Sequence, residues 1–299
     1  MAMDGSMRGR VCVVTGASSG VGRATALGLA ALGATVVLVC RDPVRGESAR
    51  EAVATAGAAS GGQARLEMAD LTVQRDVREL AKRLHQRCKR LDVLVNNAGG
   101  IFGQRQESHD GFELTLALNH LAYFLLSNLL VDMLRLSAPS RVVNVASSAH
   151  SGARLNLDDL QLRHGYNAQR AYANSKLDNV LFTYELARRL AGTGVSVNCV
   201  HPGTVRSGFG RDGSAPFRFG LRFAQPFMLT PEAGADTVIY LASSPEVEGV
   251  TGKYFVKRQA RPSSADSYDE TTAQRLWDVS ARLCRGGNWR SPLELPPEA

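Results

Sequence analysis

Arg10-Val-Cys-Val-Val-Thr-Gly-Ala-Ser-Ser-Gly-Val-Gly22 runs from a strand through a glycine loop into a helix without a break. Arg10 to Val14 is a short β-branched run of the kind that suits a buried strand. From Val21 to Leu32 the pattern turns helical, with Ala-rich spacing and Gly33 as the stop. A glycine motif gains meaning in this order. Small residues let the backbone turn sharply and approach a pyrophosphate, while the helix N-terminus supplies free amides and a partial positive charge. A plain glycine turn is the competing reading, and the strand and helix on either side count against it.

The alternation continues along the chain. Thr35 to Cys40 reads as a second buried strand, followed by a helix near Gly46 to Thr55 and a third strand from Ala64 to Asp70. Val73 to Cys88 is an amphipathic, charge-rich helix, and Leu91 to Val95 a fourth strand leading into Asn96-Asn-Ala-Gly-Gly100. A long helical stretch from Phe112 to Leu136 precedes a fifth strand, Arg141 to Ser148, that ends in two hydroxyls. After an irregular segment from His150 to Asn167 come a helix carrying Tyr172 to about Leu190 and a sixth strand, Val195 to Val200. His201-Pro-Gly-Thr204 breaks that strand; Pro231 to Ser243 is a further helix and Gly252 to Val256 a seventh strand. This pattern predicts an α/β fold: a Rossmann-type, doubly wound parallel sheet of about seven strands with helices on both faces.

Composition sets bounds on the rest. The 299 residues are 44% apolar, ordinary for a protein with a sizeable core, and no Pro/Gly-rich linker divides them, so one domain is expected. Uninterrupted apolar runs such as Leu121 to Leu126 fall far short of the ~20 residues a bilayer helix needs. No basic start followed by an apolar stretch marks a signal peptide, so a cytoplasmic protein without a membrane span is expected. Cys12, Cys40, Cys88, Cys199 and Cys284 show no Cys-x-x-Cys and no nearby His, which predicts core thiols in a reducing compartment and no metal site. The formal charge of +7 comes from scattered arginines without interleaved aromatics, which argues against a nucleic-acid partner. Residues 1–9 are expected to be disordered, residues 10–257 to form the main domain, and residues 258–299 to form an extension. That extension is expected to hold a short helix at Thr271 to Cys284 and a mobile tail.

Open parallel sheets bind ligands at the carboxyl ends of their strands. The end of the second strand meets the adenosine ribose of a dinucleotide; a carboxylate there suits NAD, an arginine the 2′-phosphate of NADP. Arg41 is the first charged residue after that strand and favours NADP(H), while the adjacent Asp42 keeps NAD(H) open. Asp70 and Leu71 fall where a side chain can touch the adenine. Asn119 sits in an apolar helical pattern and so needs partners or a function. Its neighbour His120 reads as a satisfied core residue. Tyr172 and Lys176, four apart, share one helix face. A phenol titrates near ~10, and a neighbouring cation favours its ionised form. Alone, such a pair is more often a buried Tyr beside a snorkelling Lys.

Thr15-Gly-x-x-x-Gly-x-Gly22, Asn96-Asn-Ala-Gly99, Ser147 with Tyr172-x-x-x-Lys176, and Pro202-Gly203, in this order, resemble the short-chain dehydrogenase/reductase family over about Arg10 to Phe255. Cys40-Arg41-Asp42, Ser147-Ser-Ala-His150, Tyr172 to Phe182 and His201-Pro-Gly-Thr-Val205 look like its retinol-dehydrogenase-like branch. That branch acts on lipophilic alcohols, aldehydes and ketones, usually with NADP(H). Many of its animal members carry an N-terminal membrane anchor, which the polar start here does not predict. The resemblance implies Tyr172 as general acid in reduction and general base in oxidation. Lys176 would hold the nicotinamide ribose and lower the Tyr172 pKa. Ser147 would bond the substrate oxygen, with the adjacent Ser148 as rival, and Asn119 would position a water behind Lys176. Gly16, Ser18, Ser19, Gly20, Val21, Arg41, Asp70, Leu71, Asn97, Ala98 and Gly99 would bind the cofactor, with Pro202, Gly203 and Thr204 at its nicotinamide end. Homodimers and tetramers are the assemblies common in the family.

Five phenylalanines, Phe209, Phe217, Phe219, Phe223 and Phe227, gather with Met228 in a loop at about residues 204–230. Aromatic packing under a long loop and a lid over a lipophilic substrate are even readings of that cluster. Arg206, Arg211, Arg218 and Arg222 leave room for an anionic group on the substrate. A cofactor-sensing protein without turnover is the alternative from another class; the full Asn, Ser, Tyr, Lys set argues against it. An epimerase using bound NAD is disfavoured by Arg41 and by the short C-terminal region.

Overall fold

A computed structural model describes residues 6–206, 228–285 and 293. Eight strands form one sheet in the order β3-β2-β1-β4-β5-β6-β7-β8. They are β1 Val11–Thr15, β2 Thr35–Cys40, β3 Gln63–Met68, β4 Val93–Asn96, β5 Ser140–Val145, β6 Val195–His201, β7 Lys253–Val256 and β8 Gln259–Arg261. All neighbouring pairs are parallel except β7 and β8. The order reverses between β1 and β4, and the crevice at such a switch point is where doubly wound sheets bind ligands.

Buried strands alternate sides, and each side receives its own helices. Val13, Val37, Val39, Leu94 and Val142 pack under α3 (Gln74–Arg87), α4 (Leu114–Leu136) and α5 (Ala168–Arg189). Cys12, Val14, Val36, Leu38, Val93, Val95 and Val145 face α1 (Gly20–Ala31), α2 (Pro43–Gly57) and α6 (Pro231–Ser243). Each such Val or Leu contributes roughly 1.5–3 kcal/mol relative to exposure. A seventh helix, α7 (Glu270–Leu283), lies on α5. Its Trp277 meets Phe124 edge-on at 4.9 Å and stacks on Phe182 at 5.9 Å.

Four sequence expectations are corrected. The sheet has eight strands, because Lys257 (φ 50°) and Arg258 (φ 61°) form a tight two-residue turn that folds β8 back on β7. Neither residue is the Gly or Asn that usually marks such a turn. Residues 6–9 are ordered: Met7 is buried and its amide donates to the Leu32 carbonyl at 2.9 Å. The helix expected from Phe112 starts at Leu114, because both Glu113 carboxylate oxygens accept first-turn amides, from Thr115 at 2.8 Å and Leu116 at 2.7 Å. That helix, with mean hydropathy 1.6 in its most apolar window, is long and apolar enough to cross a bilayer, although 83% of the window is buried within the protein. Counting uninterrupted apolar runs overlooks such a core helix, most of whose polar residues, Thr115, Asn119, His120, Ser127 and Asn128, are themselves buried. The phenylalanine cluster Phe209, Phe217, Phe219, Phe223 and Phe227, with Arg211, Arg218 and Arg222, lies outside the described residues, as does the expected tail apart from Arg285 and Leu293; Leu293 is buried and its carbonyl accepts from Arg189 Nη1 at 2.7 Å.

Candidate active site

The glycine loop is shaped around its own backbone. Gly16 sits at φ 65°, and a Cβ there would lie 2.8 Å from the Ala98 Cα. A Cβ on Gly22 would lie 2.4 Å from Asn97 Nδ2 and 2.5 Å from the Gly16 carbonyl oxygen. Asn97 Nδ2 donates to the Thr15 carbonyl at 2.8 Å, and the Thr15 hydroxyl accepts the amides of Asn97 (2.8 Å) and Ala98 (3.0 Å). The loops after β1 and β4 are thereby locked together at the switch point. Ser19 caps α1 with extended backbone and makes no side-chain cap bond, and the first turn carries no acidic residue. With Ser18 and Gly20, this helix start keeps amides available for an anion. Val21 approaches Pro202 through Gly234, whose added Cβ would lie 3.2 Å from Val21 Cγ2 and 3.4 Å from the Pro202 carbonyl oxygen. Gly203 (φ 87°) turns the chain beside Leu229. Thr204 and Arg206 then bond Leu229 from either side, Leu229 N–H to Thr204 O and Arg206 N–H to Leu229 O, both at 2.8 Å.

At the far end, Arg41 and Asp70 face each other, Nη1 to Oδ2 3.9 Å, at the tips of β2 and β3. Asp42 is occupied otherwise. Its carboxylate caps α2, accepting from Arg45 N at 2.9 Å and Arg45 Nε at 3.0 Å, which holds it below the usual carboxylate pKa. Asp70 Oδ1 accepts from the Thr72 amide (3.0 Å) and hydroxyl (2.7 Å), and this turn ends β3 two residues earlier than the sequence suggests. Leu71 beside it is buried.

Ser147, Tyr172, Lys176, Asn119 and Gly99 converge between these ends. The Tyr172 phenol hydrogen-bonds the Ser147 side chain. Lys176 is buried, donates from Nζ to the Val145 carbonyl at 2.9 Å, and lies 5.6 Å from the Tyr172 ring centre. Asn119 occupies a π-helical turn, Ala117–Leu121, within α4. Its carboxamide accepts from Gly100 N (2.8 Å) and donates to Gly100 O (3.0 Å) and Ser175 Oγ (3.0 Å), bracing the loop after β4 against α5. A Cβ on Gly99 would stand 3.2 Å from Asn119 Oδ1 and 3.7 Å from Lys176 Nζ. Ser147 is buried beside Tyr172, whereas the Ser148 side chain is exposed.

One expectation about the pair is reversed. Burial raises the Tyr172 pKa, and the bond from Ser147 is the one opposing influence. Burial also lowers Lys176 to about 7, so the cation that should depress the phenol is itself close to losing its proton.

The sequence suggests His120 as a satisfied core residue and assigns no contact to His150 or His201. His120 is fully buried with Nε2 2.8 Å from Ser280 Oγ and Nδ1 3.4 Å from Asn179 Oδ1, while Asn179 Nδ2 donates to the Asn119 carbonyl at 2.8 Å. His150 and His201 flank the Ser147 turn. His150 and His201 fall within stretches that carry the family resemblance, but residue type and spacing alone do not show which backbone groups their rings meet.

The family model described as short chain dehydrogenase matches residues 10–215. Retinol dehydrogenase 14 from Mus musculus is 44% identical, over 92% of this chain and 86% of its own length. Human retinol dehydrogenase 13 is 40% identical, over 92% and 84% respectively. Among solved structures, an uncharacterized protein from Mycobacterium paratuberculosis superposes with a TM-score of 0.75 at 33% identity, covering 93% of this chain and 94% of that one. The Pseudomonas aeruginosa RhlG/NADP active-site complex superposes with a TM-score of 0.66 at 31% identity, covering 85% and 97%. The chain belongs to the short-chain dehydrogenase family, in its retinol-dehydrogenase-like branch.

Proposed function

We propose that this oxidoreductase transfers a hydride between NADP(H) and a lipophilic carbonyl or alcohol, with Tyr172 as the proton donor and acceptor. The observation that carries the reading is the convergence of Ser147, Tyr172 and Lys176 beside the Gly16 to Gly22 loop. The cofactor, when bound, supplies or accepts the hydride. The α1 N-terminus and Gly16, Ser18, Ser19, Gly20 and Val21 would hold its pyrophosphate, and Arg41, Asp70 and Leu71 its adenosine. Asn97, Ala98, Gly99, Lys176, Pro202, Gly203 and Thr204 would hold the nicotinamide half.

Arg41 supports the preference for NADP(H), since it stands open at the tip of β2 while Asp42 is committed to capping α2. Ser147 orients the substrate oxygen, being the buried serine that bonds the phenol. The phenol carries its proton at neutral pH and can give it to a substrate oxygen, while burial, which raises its pKa, makes it a weaker acid than one matched to that pH. Asn119 keeps the Gly99–Gly100 turn against Lys176 and so fixes the spacing of the set. The relatives named retinol dehydrogenase, and the phenylalanine-rich sequence after Arg206, support an elongated apolar alcohol or aldehyde of the retinoid type as substrate.

The test is NADPH oxidation across aliphatic, aromatic and retinoid aldehydes and ketones. Tyr172→Phe should abolish turnover while fluorescence titration shows NADPH still bound. Turnover retained by that variant would sink the mechanism.

A further inference from the structure

We propose that His150 is a positioning residue, one that sets the attitude of Ser147 by joining the peptide after it to the backbone of Ser264, beyond β8. The proposal rests on Ser147 being the serine that orients the substrate oxygen. His150 is buried, with Nδ1 2.6 Å from the Ser147 carbonyl oxygen and Nε2 3.0 Å from the Ser264 amide nitrogen. A carbonyl can only accept and an amide N–H can only donate, so a single protonation state satisfies both ends: neutral, with the proton on Nδ1. Burial acts in the same direction and lowers the His150 pKa.

A second imidazole completes the arrangement. The Ser148 amide donates to His201 Nδ1 at 3.2 Å. The Ser147 carbonyl and the Ser148 amide belong to one peptide unit, so that plane is held at both ends. Fixing the plane next to Ser147 fixes the direction in which its side chain leaves the backbone. Tyr254 packs on the His150 ring at 4.9 Å, edge-on, and His201 is the titratable neighbour that faces it. The remote anchor lies outside residues 10–215, the part that matches the family model. At Ser264 only the main chain serves this purpose, because its hydroxyl is buried without a partner.

Ser264→Pro separates the contact from the fold. At φ −63° the residue already has the backbone that proline requires. The substitution deletes the N–H, keeps the carbonyl that accepts from Ser267 Oγ, and sacrifices no side-chain bond. His150→Leu removes both contacts, whereas His150→Asn keeps an N–H near the Nδ1 position and cannot reach Ser264. Because displacements of about 1 Å cost up to about 100-fold in rate, His150→Leu should lower kcat by roughly 10- to 100-fold with NADPH affinity unchanged. His150→Asn should recover most of that loss, and Ser264→Pro should fall between. A kcat for His150→Leu within about twofold of the parent, or a loss that appears in NADPH affinity instead, overturns the proposal.

Imidazole ¹⁵N NMR supplies a readout that does not need turnover. The His150 ring should show the neutral Nδ1–H tautomer at and below its ordinary pKa of ~6.5 as well as above it, and should shift in Ser264→Pro. An Nε2–H tautomer, or protonation near its ordinary pKa of ~6.5, overturns the arrangement. A protein inert toward every carbonyl and alcohol would refute the proposed reaction, and the NMR result would still decide the imidazole bridge.

Discussion

Lys176→Met isolates what it costs to bury an ammonium beside Tyr172. The side chain is 3% exposed, its Nζ donates to the Val145 carbonyl, and burial brings its pKa from 10.5 to about 7. With the folded pKa below the unfolded one, the unfolded chain holds more protons between the two values, so stability rises with pH across that window. The penalty is fully present below pH 7 and is relieved as pH climbs toward 10.5. At about 1.4 kcal/mol per unit, the parent should gain roughly 1.5 kcal/mol relative to the variant between about pH 7 and 8.5. Above that range the thiols of Cys12, Cys40, Cys88, Cys199 and Cys284, all raised by burial, make stability fall with pH. They are common to both proteins and cancel in the difference. Urea unfolding followed by tryptophan fluorescence at several pH values in this window, without cofactor, measures the two slopes. A stability difference independent of pH would mean that the ammonium keeps its proton in the folded state, and the argument from desolvation would be refuted.

Arg41→Ala removes a charge-assisted contact to a 2′-phosphate worth about 1.5–3 kcal/mol, so NADPH should bind roughly 10- to 100-fold more weakly. NADH affinity should barely move, and equal losses for both cofactors would reject the assignment. Asp42→Ala should instead lower stability through the lost α2 cap and leave cofactor preference alone, as thermal melts and paired titrations would show. Gly22→Ala forces a Cβ into Asn97 and the Gly16 carbonyl, so NADPH fluorescence titration should show a loss of more than about tenfold. Ser280→Ala leaves His120 Nε2 buried without its donor and should destabilise the fold by about 1–3 kcal/mol in chemical unfolding.

What the sequence disclosed depended on the range of the cause. Continuous apolar strands and the glycine loop are local consequences of burial on both faces and of close backbone approach, so β1 to β7 and the Gly16 to Gly22 turn could be read directly. Tyr172 and Lys176 were legible as a pair because helical spacing puts them on one face. Their protonation was not, since it depends on how α4, β5 and α5 exclude water from them. β8 escaped because Lys257 and Arg258 adopt left-handed backbone that their side chains do not advertise. Asp42 read as a cofactor candidate until its carboxylate was found on the Arg45 amide.

Asn119 shows why the C-terminal helix has to be counted with the site. Its carboxamide is used by Gly100 and Ser175, and its carbonyl accepts the Asn179 amide, whose oxygen faces His120 Nδ1. His120 Nε2 then meets Ser280 on α7, so the chain of polar groups ends outside the segment that matches the family model. Each member is buried, and removing one leaves the next unsatisfied, which makes the row costly to break at any point. The π-helical turn at Ala117–Leu121 is where this row enters α4, and an ordinary α-turn would set the Asn119 carbonyl in a different register against Asn179. The geometry around Asn119 is therefore fixed jointly by a local distortion of α4 and by a helix that begins more than a hundred residues later.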